Sequence, residues 1–84
     1  MKFDARAEVR LRSGIADPEG ATIERAMPAL GFTEFADVRA GKVFRFVVDA
    51  GDETTARRRA TELAERLLAN PVIEEVDVEV AARS

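Results

Sequence analysis

Hydrophobic and polar residues alternate from the start of the chain. "FDARAEVRLR", residues 3–12, sets Phe3, Ala5, Ala7, Val9 and Leu11 against Asp4, Arg6, Glu8, Arg10 and Arg12. Successive side chains of a strand point to opposite faces, so this stretch predicts a strand with one face buried and one wet. "SGIADPEG" then breaks the pattern. Asp17 before Pro18 predicts a helix start, with an acidic N-cap followed by a proline whose missing N–H costs nothing there. Ile23, Ala26, Met27 and Leu30 recur at i, i+3, i+4 and i+7, one face of that helix. Gly31 suits the position just past its end. Pro28 removes a bond to the Glu24 carbonyl, so this helix is expected to be short, with a kink or a tightened last turn.

"FTEFADVR" and "KVFRFVVDA" predict two strands of a hairpin around Ala40-Gly41. A two-residue turn would force Ala40 to positive φ. The expected loop therefore has three residues, with Arg39-Ala40 in a type I turn and Gly41 left-handed in a bulge. That register puts Ala36, Val38, Phe44, Phe46 and Val48 on one face and Phe35, Val43 and Val47 on the other. Asp52 predicts the cap of a second helix. Its apolar stripe is Ala56, Ala60, Leu63, Leu67 and Leu68, and Arg58 is placed to pair with Glu62 on the solvated side. Asn70-Pro71 ends it. "VIEEVDVEV" is the last strand, with Val72, Val76, Val78 and Val80 on one face.

The predicted order is β-α-β-β-α-β. It implies an α+β, ferredoxin-like fold: a mainly antiparallel four-stranded sheet with two helices on one face. In such a two-layer domain the helix-free face meets water and should be polar. Phe35, Val43 and Val47 would lie on that face, which predicts that it is partly covered.

Composition narrows the chemistry. With 84 residues the chain is one domain, 1–84, and a domain this small buries only about 60% of the surface its unfolded chain exposes. There is no Cys and no His, so disulfides, Cys–His nucleophile pairs and ordinary transition-metal sites are excluded. Association with other chains is the expected support. The net charge of −3 argues against nucleic acid or an anionic membrane as a partner. No apolar run approaches the roughly 18 residues of a membrane span, and "MKFDARAEVR" is too charged for a signal peptide; a cytoplasmic location is expected.

Gly41-Lys42 with nearby Arg39 suggests a phosphate cradle, but a phosphate loop needs several glycines and a helix start behind them. Here there is one glycine and a strand follows. Arg57-Arg58-Arg59 reads as a solvated helix face, and Asp17 with Glu19 as acids at a helix start, not as an anion site or a catalytic pair.

Three stretches together resemble the PurS-type small subunit of phosphoribosylformylglycinamidine (FGAM) synthase. "GIADPEGATIERAMPALGF" resembles its turn-and-helix, "FADVRAGKVF" its central hairpin, and "LLANPVIEEVDVEV" its helix end and last strand. The resemblance implies a non-catalytic subunit in purine biosynthesis with no cofactor of its own. Its expected partners are a large synthetase subunit, which uses ATP, and a glutaminase subunit, which releases ammonia from glutamine. A homo-oligomer, dimer or tetramer, is also implied. Motif positions with local backbone reasons are Asp17, Pro18, Gly31, Gly41 and Pro71. Arg39 and Lys42 lack such reasons and become candidates for partner contact, together with Phe35, Val43, Val47 and Asn70. An ACT-like module that senses a small ligand shares the element order and stands as the alternative. An acylphosphatase-type enzyme does not fit, because "LRSGIAD" lacks its glycine-rich loop.

Overall fold

The computed structural model describes residues 1–83. The elements are β1 (Lys2–Leu11), α1 (Pro18–Ala26), β2 (Gly41–Asp49), α2 (Glu53–Leu63) and β3 (Glu74–Ala82). The fold is α+β, and its sheet is antiparallel in the order β2-β1-β3. Among the described residues the sheet has three strands, not the expected four, and β1 is its centre.

The alternation in β1 is realised in full. Phe3, Ala5, Ala7 and Val9 are buried, while Asp4, Arg6, Glu8 and Arg10 face the other way. Ala5 lies between Phe46 and Val80, and Ala7 between Phe44 and Val78. α2 crosses this face. Its buried positions are Ala56 and Ala60, continued by Ala64 in the turn that follows, at i, i+4 and i+8. Alanine on both sides lets helix and sheet approach closely, and Ala60 packs with Ala5 and Val80. Five of the eight buried apolar residues are alanines, so the core is thin in transferred apolar area.

The apolar stripe expected along α2 holds at Ala56 and Ala60 and is corrected at its leucines. The helix ends in a wide π-helical turn, Ala64–Leu68, closed by the Ala69 N–H donating to the Ala64 carbonyl at 2.9 Å. Leu63 sits at the rim and Leu67 is 74% exposed. The last strand is shifted as well: Val72 lies in the preceding loop and is exposed.

Both helices begin as their sequences predict. Asp17 and Asp52 cap them by accepting from Gly20 N–H at 3.0 Å and Thr55 N–H at 2.7 Å. Pro28 ends α1 early. A 3-10 turn follows at Pro28–Leu30, and Gly31 closes it left-handed at φ 91°.

The central hairpin does not form. Residues 32–40 make no strand. Gly41 is not left-handed; it opens β2, where a Cβ would lie 2.9 Å from the Val9 carbonyl oxygen. Asp37 takes the positive φ instead, at 59°. Nor do two helices cover the sheet. α2 packs on all three strands, whereas α1 packs on the turn that follows it. Within α1 only Gly20 is buried. Helix α1 and residues 27–40 thus form an arm beyond the end of the sheet. The molecule measures 51 × 31 × 14 Å, with a radius of gyration of 16.3 Å, against about 12 Å for a compact domain of this length.

Candidate functional site

The arm is held by two carboxylates. Asp17 has a side chain only 5% exposed. Its Oδ1 takes the Gly20 N–H, and its Oδ2 accepts from the Ala40 N–H at 2.7 Å. Glu24 accepts from the Val38 N–H at 2.9 Å. The Val38 N–H, which a hairpin ladder would have used, and the Ala40 N–H of its turn are therefore both spent on α1. Gly20 makes this possible, since the Val38 carbonyl oxygen lies 2.6 Å from where its Cβ would sit. The resulting clamp ties residues 38–40 along the first turns of α1.

The clamp works with Asp17 ionised. Its carboxyl is held below the ordinary value of 3.8, first by the Gly20 N–H, then by the Ala40 N–H, with Arg39 adding a smaller attraction. Asp52 is lowered chiefly by the Thr55 N–H. A carboxyl lowered in the fold stabilises above its unfolded value, and that stability is lost as pH falls through the folded value. Melting temperature is expected to be flat from pH 7 to about 5 and to drop below about 4. Asp17→Asn should melt lower at pH 7 and lose less on acidification. Thermal melts of both chains across that range check this; parallel acid limbs would contradict it.

The sequence-predicted site residues separate into three groups. Arg39 is part of the clamp region: its guanidinium donates to the Ile15 carbonyl at 3.3 Å and lies 3.9 Å from Asp17. Asn70 closes the loop before β3. Its side chain accepts from Val72 N–H, its own N–H donates to Glu74, and its carbonyl takes the Ile73 and Glu74 N–H groups. Lys42, Phe35, Val43 and Val47 have no such structural duty. Lys42 lies 6.0 Å from the Phe44 ring centre. Val43 and Val47 are exposed on the open face of β2. Phe35 is not on that face at all; it sits in the arm, edge-on to Phe32 at 5.8 Å.

Sequence reasoning missed Gly20 and Glu24 as clamp residues. The only available signal was the glycine in "DPEG", whose reason lies in a carbonyl eighteen positions further on.

The open face is a lattice of charge. Arg10 lies 3.3 Å from both Glu8 and Glu75, and Arg83 lies 3.0 Å from Asp4. A broad concavity of about 580 Å³ spans this face between Arg45 and Arg83. A second cleft of about 500 Å³ lies between α1 and the clamped segment, lined by Glu24, Arg25, Asp37 and Arg39. Both linings mix cations and carboxylates, an arrangement suited to protein contact.

Apart from Met1 and from Val43 and Val47 on the open face, the more exposed apolar residues gather elsewhere. Ile23, Leu30, Phe32 and Phe35 are in the arm, and Leu67 and Val72 flank the loop at the α2 end. Arg12, at the exit of β1, donates to the Pro71 carbonyl at 2.9 Å, which places that loop beside the root of the arm. Apolar surface concentrated at one end of a small protein marks an interaction site. No helix among the described residues is long and apolar enough to cross a membrane.

Comparison with known proteins agrees with this geometry. The profile of the family described as PurS, phosphoribosylformylglycinamidine (FGAM) synthase, matches residues 4–82. The PurS subunit of phosphoribosylformylglycinamidine synthase from Methanothermobacter thermautotrophicus is 39% identical over 95% of this chain and 94% of its own length. The structure of Thermus thermophilus PurS superposes with a TM-score of 0.87 at 32% identity, covering all of both chains. A chain in the structure of PurLQS from Thermotoga maritima also gives 0.87 at 32% identity, over 96% of this chain and 99% of its own.

Proposed function

This chain belongs to the PurS family of FGAM synthase subunits, and on that premise we propose that it is the non-catalytic small subunit of the complex. It joins the large synthetase subunit to the glutaminase subunit and supports the passage of ammonia between them. The complex converts formylglycinamide ribonucleotide (FGAR) to FGAM in purine biosynthesis, in the cytoplasm. ATP and glutamine are used by the partner subunits, and this chain binds no cofactor. It acts as a homo-oligomer.

The observation that carries this reading is the match to PurS subunits over nearly the whole chain, residues 4–82. The structure adds a physical reason. A thin alanine core and an apolar arm off the end of the sheet make a protein that gains by association. The contact candidates are Lys42, Phe35, Val43 and Val47, with Arg39 and Asn70 shaping the loops beside them. Nothing in the comparisons favours the ACT-type ligand sensor.

Reconstitution tests the proposal. The synthetase and glutaminase subunits are assayed for FGAM formation with glutamine, with and without this chain. Without it, glutamine-dependent activity should fall at least about tenfold, a loss of about 1.4 kcal/mol in coupling, while activity on added ammonium salt persists. Full glutamine-dependent activity in its absence would overturn the reading.

A further inference from the structure

The open face of the sheet is polarised across its strands. One row runs Arg45–Arg6–Glu79, from β2 through β1 to β3, each residue directly across from the next. Both ends of the row lack a counter-charge: among the described residues neither Arg45 nor Glu79 makes an ion pair. The other acids of β3 on this face, Glu75 and Asp77, are both taken by Arg10, at 3.3 and 3.5 Å. Arg6 has Glu8 at 3.4 Å, but Glu8 also serves Arg10 at 3.3 Å. Two guanidinium groups thus oppose each other with one shared carboxylate at hand. Like charges directly opposite are unfavourable on a sheet, and an anion between them removes the penalty.

The row lines the concavity of about 580 Å³ on this face, a volume in the range of small-molecule sites. Val47 lies beside Arg45 in the lining. Arg83 and Asp4, also in the lining, neutralise each other at 3.0 Å. Neighbouring strands lie about 4.8 Å apart, so Arg45 and Glu79 are rooted about 10 Å apart. A ligand that satisfies the row carries an oxyanion at one end and a cation at the other. Two adjacent guanidinium groups offer donors to several oxygens at once, which suits a phosphate. A free carboxylate takes an amidinium as it takes a guanidinium, through two parallel N–H···O bonds.

The reaction of the complex makes such a molecule. FGAR and FGAM share their ribose phosphate and differ at one group, a neutral amide in FGAR and a basic amidine, protonated at neutral pH, in FGAM. We infer that the row Arg45–Arg6–Glu79 is a binding site for the product FGAM, with the phosphate between Arg45 and Arg6 and the amidinium on Glu79. FGAR fills only the phosphate half. The subunit that carries no chemistry thus holds product in preference to substrate. The inference rests on the proposed role in FGAM synthase, which supplies the ligand.

Titration of the intact chain with FGAM, FGAR and inorganic phosphate tests it, followed by NMR at the amides of β1, β2 and β3 and at the Arg45 Nε–H. Inorganic phosphate reads the Arg45–Arg6 half alone. FGAM should bind about three- to fivefold tighter than FGAR, the effect of one exposed ion pair. Glu79→Gln should bring FGAM and FGAR to equal affinity. Arg45→Gln should weaken all three ligands about threefold or more. Both side chains are on the exposed face, so the melting temperatures of these variants should stay close to that of the parent. No binding at millimolar concentration, equal affinity for FGAM and FGAR in the parent chain, binding unchanged by Arg45→Gln, or shifts in the arm instead of the sheet overturns the inference. The reconstitution assay reads separately. A chain that binds FGAM no better than FGAR but is still required for glutamine-dependent activity loses this site and keeps its assembly role. Full activity without the chain removes the assembly role and leaves any measured preference for FGAM standing.

Discussion

The Gly20→Ala chain is expected to melt roughly 5–10 °C below the parent. Glycine inside a helix ordinarily costs up to about 1 kcal/mol relative to alanine, so the substitution would normally stabilise. Here the sign should reverse. The added methyl meets the Val38 carbonyl at 2.6 Å and the Asp17 carboxylate. Neither can yield cheaply, because both belong to the clamp. Overpacking of this kind costs about 1–3 kcal/mol. A domain of this length loses about 4–8 °C per kcal/mol. Opening the clamp should also free the Ala40 and Val38 amides, so their hydrogen-exchange protection should drop while that of β1 is retained. Gly51 supplies the control: a methyl added there meets nothing within 4 Å, and Gly51→Ala should be near neutral. A higher melting temperature for Gly20→Ala would remove the clamp from the account.

Ala60→Leu should do still more damage. Ala60 is 1% exposed and faces Ala5 and Val80, where α2 lies on the sheet. The larger side chain has no void to enter, so α2 must lift from β1 and β3. The expected loss is at the upper end of the overpacking range, about 3 kcal/mol, or roughly 12–24 °C at this chain length. Total stabilities of small domains start near about 5 kcal/mol, so the variant should sit close to unfolding at physiological temperature. Leu63→Ala, at the rim of the same helix, should cost far less. Chemical denaturation of the two chains side by side decides the matter. Equal losses would mean that the leucines, not the alanines, hold the helix down.

These two expectations also show where sequence reading stops. A stripe of leucines outweighs a stripe of alanines on any hydrophobic count, yet the alanines face the sheet. β1 presents Ala5 and Ala7 there, and two small surfaces can meet closely where larger ones cannot. Each segment carries half of that information, and the halves are far apart along the chain.

Local rules were enough for every feature whose cause is local. The alternation of β1, the Asp17 and Asp52 caps, the early end of α1 at Pro28 and the left-handed Gly31 each depend on close neighbours in the chain, and each stands in the structure. Family membership was legible for a related reason, because it rests on the order of short motifs. The path of residues 32–40 was not legible. Phe32 to Val38 carry a fair strand pattern and "RAGK" a fair turn. What prevents the hairpin is a hydrogen bond from Ala40 to Asp17, 23 residues back, and one from Val38 to Glu24, 14 residues back. Carboxylates accepting backbone N–H groups make strong bonds, and no periodicity in the sequence announces which donors they will take. The elements and the lineage could thus be read from the order of residues alone. The absence of one strand from the sheet could not, because Val38 and Ala40, the end of that strand and its turn, are bound to α1 by contacts that exist only once the chain has folded.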